Sequence, residues 1–359
     1  MLMKIVKWRY QQPALWLLPL VYALGIGLYT PPASYDLSRF YWYYDLFTQN
    51  TWDSEVGQEI LRTIPDYLSQ MMIYISARLG VPIQCFLMSV TYLTVFNFLY
   101  VFQFFYTKEK GRKPEFWEYG IVFCALPLLA VLSGVRNIHA LSFVALALLW
   151  IDKKKILWAL GALVYAALFH FSTWIYFLLY LIYIIGIRYS KNPQNWIKKQ
   201  WLLAFVMSIV ILIIKFLPSD FLALGLPESW LLKVNFYLKK NDILVEEWRQ
   251  HHWKSVFLQL LYTYAPMLTA LLLFKKELKT YFAYTISWAF VLLPCVVSLL
   301  FPNIFSRYTL LTNIALTMLI LIKIPPKSSR RNFFISLIIL IFGVKIYLFF
   351  KTIFVLCYL

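Results

Sequence analysis

The chain has 359 residues, 62% of them hydrophobic and 14% charged, with a formal net charge of +18. Such a composition excludes an ordinary soluble globular domain, and long continuous apolar runs, for example Leu202 to Leu217 and Phe333 to Phe350, exclude a barrel of short alternating strands. The basic residues sit in short breaks between apolar runs rather than along one face, which fixes membrane topology and excludes a nucleic-acid footprint.

Residues 13–30 follow a basic start at Lys4, Lys7 and Arg9, and no small-residue cleavage site precedes Pro31-Pro32, so they read as a retained first span. An outer loop over 31–57 comes next, acidic at Asp36, Asp45, Asp53 and Glu55, with Tyr41-Trp42-Tyr43-Tyr44 placed as an aromatic belt. Residues 58–80 mix Ile60, Leu61, Ile64, Leu68, Met71, Met72 and Ile75 with Arg62, Asp66, Ser69 and Gln70, which suits an interfacial or partly re-entrant helix. Further spans fall at 82–106, 117–133, 137–151, 156–170, 173–187, 200–217, 253–274, 280–300, 306–323 and 332–350, with a second outer loop over 218–252. Taking the N-terminus as cytoplasmic, alternation puts the clusters at Lys108–Lys113, Lys153–Lys155, Arg188–Lys199, Lys275–Lys279 and Lys323–Arg331 inside. The acids of the first outer stretch, Asp66 among them, and those of the loop before Trp253 fall outside, consistent with the positive-inside assignment.

The resulting fold class is all-α: a polytopic integral membrane protein, one transmembrane domain over 1–359 with roughly eleven transmembrane helices. No internal repeat or soluble domain stands out. Cys85, Cys124, Cys295 and Cys357 lie in apolar runs without metal-like spacing, which indicates neither a disulfide framework nor a zinc site.

Candidate site residues come from the hairpins. The apolar run 117–151 is too long for one span and too short for two, so its turn at Ser133-Gly134-Val135-Arg136 dips below the outer surface. A fixed cation at such a place, beside the amides of a helix N-terminus, suits an anion. His170 falls at the outer turn between Lys155 and Arg188, and Arg307 at that between Lys279 and Lys323, so two arginines and a histidine share one depth. A plainer reading stands beside each: an arginine at a helix end can snorkel to lipid phosphate, and a histidine between two phenylalanines is commonly a hydrogen-bonded core residue. His139 falls under the same core reading. No P-loop, nucleophile elbow, His-Glu-x-x-His or Asp-x-Asp pair occurs, and no metal site is indicated.

At these residues the chain resembles the EpsG family of Wzy-type exopolysaccharide and O-antigen polymerases. The resemblance lies in Asp36-Leu-Ser-Arg39-Phe-Tyr41, Ser133-Gly-Val-Arg136-Asn137, Ala167-Leu-Phe-His170-Phe-Ser172 and Arg307-Tyr308. The chain departs from the family's habit at Asn137, where Gln is frequent, and at Phe171, where Pro is common. The resemblance implies a GT-C-like polymerase/ligase architecture in the bacterial cytoplasmic membrane, with the site facing the periplasm or exterior. It implies transfer of a glycan from undecaprenyl diphosphate to a lipid-linked acceptor repeat unit, making O-antigen, capsule, exopolysaccharide or lipopolysaccharide without a cofactor. A chain-length regulator and a flippase are the implied protein partners, and nucleic acid is not one.

Arg136 and Arg307 are the candidates to hold the departing diphosphate, His170 is the candidate base, and Asp36 is the second candidate base. Arg39, Asn137 and Tyr308 are the remaining substrate-binding candidates. The competing readings are an O-antigen ligase, which uses the same donor, and a lipid-linked oligosaccharide flippase, which binds diphosphate without chemistry. A membrane O-acyltransferase would use His170 but leaves the paired arginines unexplained.

Overall fold

The computed structural model describes residues 13–29, 36–64, 66–126, 134–174 and 302–357, with isolated positions between 176 and 274. Among the described residues every regular element is a helix. They are α1 (Pro13–Leu28), α2 (Asp36–Gln49), α3 (Glu55–Thr63), α4 (Tyr67–Arg78), α5 (Ile83–Lys110), α6 (Phe116–Ala125), α7 (Val135–Asp152), α8 (Ile156–Phe169), a 3-10 turn (Phe171–Thr173), α9 (Pro302–Lys323) and α10 (Ser329–Cys357). α1, α5 to α8, α9 and α10 fall on the spans read at 13–30, 82–106, 117–133, 137–151, 156–170, 306–323 and 332–350. The spans at 173–187, 200–217, 253–274 and 280–300, and the loop at 218–252, lie outside the described residues, isolated positions apart.

Two described helices, α5 and α7, have the length and apolar composition to cross a membrane. Pro13–Leu28, Phe116–Ala125 and Ile156–Phe169 are shorter apolar helices, as is Asn313–Lys323 within α9.

Two expectations are corrected. The stretch 31–57 is not a plain loop, because Leu37, Phe40, Tyr43 and Phe47 recur at helical spacing and bury one face of α2. The segment 58–80 is not one helix but parts of two: α3 ends at Thr63, α4 starts at Tyr67, and Pro65 stands in the break, where it disfavours helix at the residue before it. That break puts Asp66 at a helix start rather than in a helix face.

The chain divides into two compact units, one of Met1–Gln58, Asp66–Phe177 and Leu321–Leu359, the other of Glu59–Pro65 and Leu178–Ile320. In the first, α1 packs along α5, α5 against α7, α7 against α8, α2 against α4, and α6 against α10. Of the second, the described regular structure is the latter part of α3 and α9 from Pro302 to Ile320.

The hairpin of α7 and α8 positions the site, and its turn is specific. Lys154 has φ 59, Lys154 N–H bonds to Ile151 O at 2.9 Å, and Lys155 N–H bonds to Trp150 O at 2.8 Å. This is a Schellman reversal with lysine at the left-handed position that glycine usually takes. The chain turns back, so the end of α8 returns to the start of α7. α5 ends in the simpler left-handed cap at Gly111, φ 67, whose N–H makes a single bond to Thr107 O.

Among the described residues read as inside, Lys108, Arg112, Lys323 and Arg331 make ion pairs at one end of this unit. Lys108 bonds Asp152 at 2.6 Å, and Lys323 pairs with Glu109. Glu118 is fully buried, accepts Tyr106 Oη–H, and takes Arg112 at 3.1 and 3.2 Å. Arg331, also buried, donates to Ile324 O at 3.2 Å and lies 3.8 Å from Glu118. These contacts join the C-terminal end of α5 to the N-terminal ends of α6 and α10. Arg136 and Asp152 stand at opposite ends of α7, with roughly 24 Å of helix between them.

Candidate functional site

Arg136 is the second residue of α7, after a helix start at Gly134, and is 8% exposed. Burial of a guanidinium is costly unless a carboxylate meets it. The carboxylate is Asp66, fully buried at the N-terminal end of α4, whose Oδ2 accepts from Arg136 Nη1 at 3.0 Å. The guanidinium also lies over the ring of Phe40 from α2, with 5.3 Å to the centroid.

The other carboxylate oxygen reaches the end of α8. Asp66 Oδ1 lies 3.2 Å from His170 Nδ1 and accepts the backbone N–H of Phe171 at 2.8 Å. His170 terminates α8 with an extended backbone at φ −147, and its carbonyl accepts Thr173 N–H at 3.0 Å and Thr173 Oγ1–H at 2.8 Å. One carboxylate therefore joins the starts of α4 and α7 to the end of α8.

Of the residues expected at one depth, Arg136 and His170 meet on Asp66, which the sequence places among the outer acids and which carries no role there. The clue was a charge beside Pro65, flanked by Ile64 and Leu68, but Arg62, Ser69 and Gln70 nearby made it look solvated. Asn137, next along α7, is buried, and its Oδ1 accepts from Ser172 Oγ at 3.5 Å. Arg39 is on the exposed side of α2. Asp36 begins α2, and its side chain lies outside the described residues. Arg307 and Tyr308 lie in the second turn of α9 rather than at its opening, and their side chains too lie outside the described residues.

His139 is a satisfied core residue. Its Nδ1 lies 2.8 Å from Thr94 Oγ1 and its Nε2 3.0 Å from Tyr165 Oη, against the rings of Phe143 and Phe169. One turn further along α7, Ser142 accepts from Asn97 Nδ2 at 3.1 Å. Among the described residues no group of three or more His, Cys, Asp or Glu side chains lies together as a metal site would need.

Apolar helices of this length, with a buried Asp–Arg–His centre where three helix ends meet, describe a helical protein with a polar cluster at the end of α7 away from its basic end. The chain belongs to the EpsG family, one of the Wzy-like polymerase families: the model of that family matches residues 15–358. No curated protein and no solved structure matches it.

Proposed function

We propose that this chain is a membrane-embedded polysaccharide polymerase of the bacterial cytoplasmic membrane. It transfers a growing glycan from undecaprenyl diphosphate to a lipid-linked acceptor repeat unit, with inversion at the anomeric carbon and without a metal. Its site faces the periplasm or exterior, opposite the basic end held by Lys108, Asp152, Arg112 and Glu118. Roughly eleven spanning helices carry it, and a flippase and a chain-length regulator act beside it.

The observation that carries the reading is the single carboxylate of Asp66, which holds Arg136 and His170 together. The reaction needs both types of group within reach of one bond. As the anomeric C–O bond breaks, negative charge grows on the departing diphosphate, and a guanidinium in a water-poor site stabilises it strongly. Arg136 has five N–H donors in a rigid fork, so taking a phosphate oxygen does not require it to release Asp66. Arg307 supplies a second cation. The acceptor sugar hydroxyl is a weak nucleophile until a base takes its proton, and His170 does so, with a typical gain of about 10²–10⁴-fold. Asn137, Arg39 and Asp36 bind sugar or diphosphate around this pair, and Tyr308 is the further substrate-binding residue of the proposal.

The test is the full chain reconstituted in vesicles with a defined lipid-diphosphate oligosaccharide. A ladder of products supports a polymerase. Transfer only to lipid A-core indicates a ligase, and translocation without new bonds indicates a flippase. Arg307→Ala protein, inserted at wild-type level, yields single-repeat glycan.

A further inference from the structure

Asp66 occupies the N-cap of α4, where an aspartate ordinarily bonds the free amides of its own helix and adds about 1 kcal/mol of stability. Here the side chain makes no cap bond to α4. Both oxygens turn instead to residues far along the chain: Oδ2 to Arg136, and Oδ1 to the His170 ring and the Phe171 amide. A capping residue that forgoes its cap serves the groups it holds.

The chemistry of those groups fixes more than their position. A guanidinium is a permanent cation, so a carboxylate paired with it is ionised and can only accept hydrogen bonds. A contact of 3.2 Å between Asp66 Oδ1 and His170 Nδ1 then requires the proton to be on Nδ1. The neutral imidazole therefore carries its lone pair on Nε2. Phe171 N–H, on the same oxygen, and Thr173, on the His170 carbonyl, keep the ring from turning away. Among the described residues, the other titratable or charged groups on α7 and α8 are Arg136, already on Asp66, the His139–Tyr165 pair deeper in the hairpin and Asp152 at the far end of α7, and α4 adds Tyr67, Tyr74 and Arg78.

We infer that Asp66 is the positioning residue of this centre, holding His170 as the Nδ1–H tautomer so that Nε2 is the nitrogen that takes the acceptor's proton. The inference rests on the reading of His170 as base given above. In the step, the acceptor oxygen forms its bond to the anomeric carbon and its proton passes to Nε2. The C–O bond to the carrier breaks, and its electron pair leaves on the diphosphate. Asp66 gains no proton; it balances the imidazolium until that proton is released to water.

Asp66→Asn discriminates this role from a merely structural one. The amide has a single acceptor oxygen, and the stronger demand of the Arg136 cation draws it, leaving the –NH₂ against His170 Nδ1. That nitrogen must then accept, so the proton moves to Nε2 and the base is lost. The full chain, carrying ¹³C,¹⁵N-histidine in lipid nanodiscs, reads the tautomer directly, with the His170 signal assigned by its disappearance in His170→Gln.

The expected wild-type signal is Nδ1–H, switching to Nε2–H in Asp66→Asn. Single-turnover elongation of the cell's own lipid-linked repeat units falls about 10²–10⁴-fold in that variant, with KM little changed. A wild-type Nε2–H signal overturns the inference without any variant having to fold, and so does wild-type elongation by Asp66→Asn. Wild-type elongation by His170→Gln is a different result, since it removes the base reading on which the inference stands.

Discussion

Asp66 precedes Arg136 by 70 residues in the chain and accepts a hydrogen bond from its guanidinium at 3.0 Å, both side chains being nearly inaccessible to solvent. The pair joins α4 to α7, and either member alone is a stranded buried charge. Asp66→Ala therefore costs about 3–5 kcal/mol, read as a lower Tm and less inserted protein. Replacing both, as Asp66→Leu with Arg136→Met, recovers most of that stability while leaving single-repeat glycan and no ladder. A double variant that still makes ladders would divorce the pair from the chemistry.

Arg136→Lys keeps the charge but loses the planar fork. Losing one hydrogen bond to a charged group is worth about 1.5–3 kcal/mol, so elongation is expected to fall by roughly tenfold or more. Protein abundance, measured by blot of the membrane fraction, should stay near wild type.

At the opposite end of α7, Glu118 is the carboxylate shared by Tyr106, Arg112 and Arg331. Glu118→Ala leaves the buried Arg331 without that counter-charge and should destabilise by about 3–5 kcal/mol. Arg112 has 43% of its side chain exposed, and Arg112→Ala is held to about 1 kcal/mol by solvent screening. Polymer made per folded molecule should be unchanged in both, as thermal melts combined with ladder gels would reveal.

The two histidines separate in the same way. Tyr165→Phe removes the hydroxyl beside His139 Nε2 and should cost about 1–3 kcal/mol of stability. Ladder length at equal protein level should not change; a shortened ladder would give the His139 pair a part in the reaction.

What the sequence made legible were the charges that the apolar runs could not absorb. Arg136 and His170 stand out because each interrupts a long apolar run, and span lengths put both at turns on one side. Asp66 did not stand out, because its neighbours Arg62, Ser69 and Gln70 gave the segment the look of a wet surface. Its burial comes from α4 packing against α2, α5 and α8, a tertiary event with no local trace beyond the break at Pro65. The helix α2 is hidden for a related reason: four consecutive aromatics read as a belt, and they interrupt the Leu37–Phe40–Tyr43–Phe47 helical spacing that the fold buries. The α7–α8 hairpin, by contrast, was legible from the lysine break at 153–155.

The most direct measurement is the glycan ladder of cells whose only copy carries His170→Gln, compared at matched amounts of membrane-inserted protein. If His170 is the base held by Asp66, these cells accumulate single-repeat glycan and form no ladder. A ladder of wild-type length and intensity would place the chemistry elsewhere in the chain.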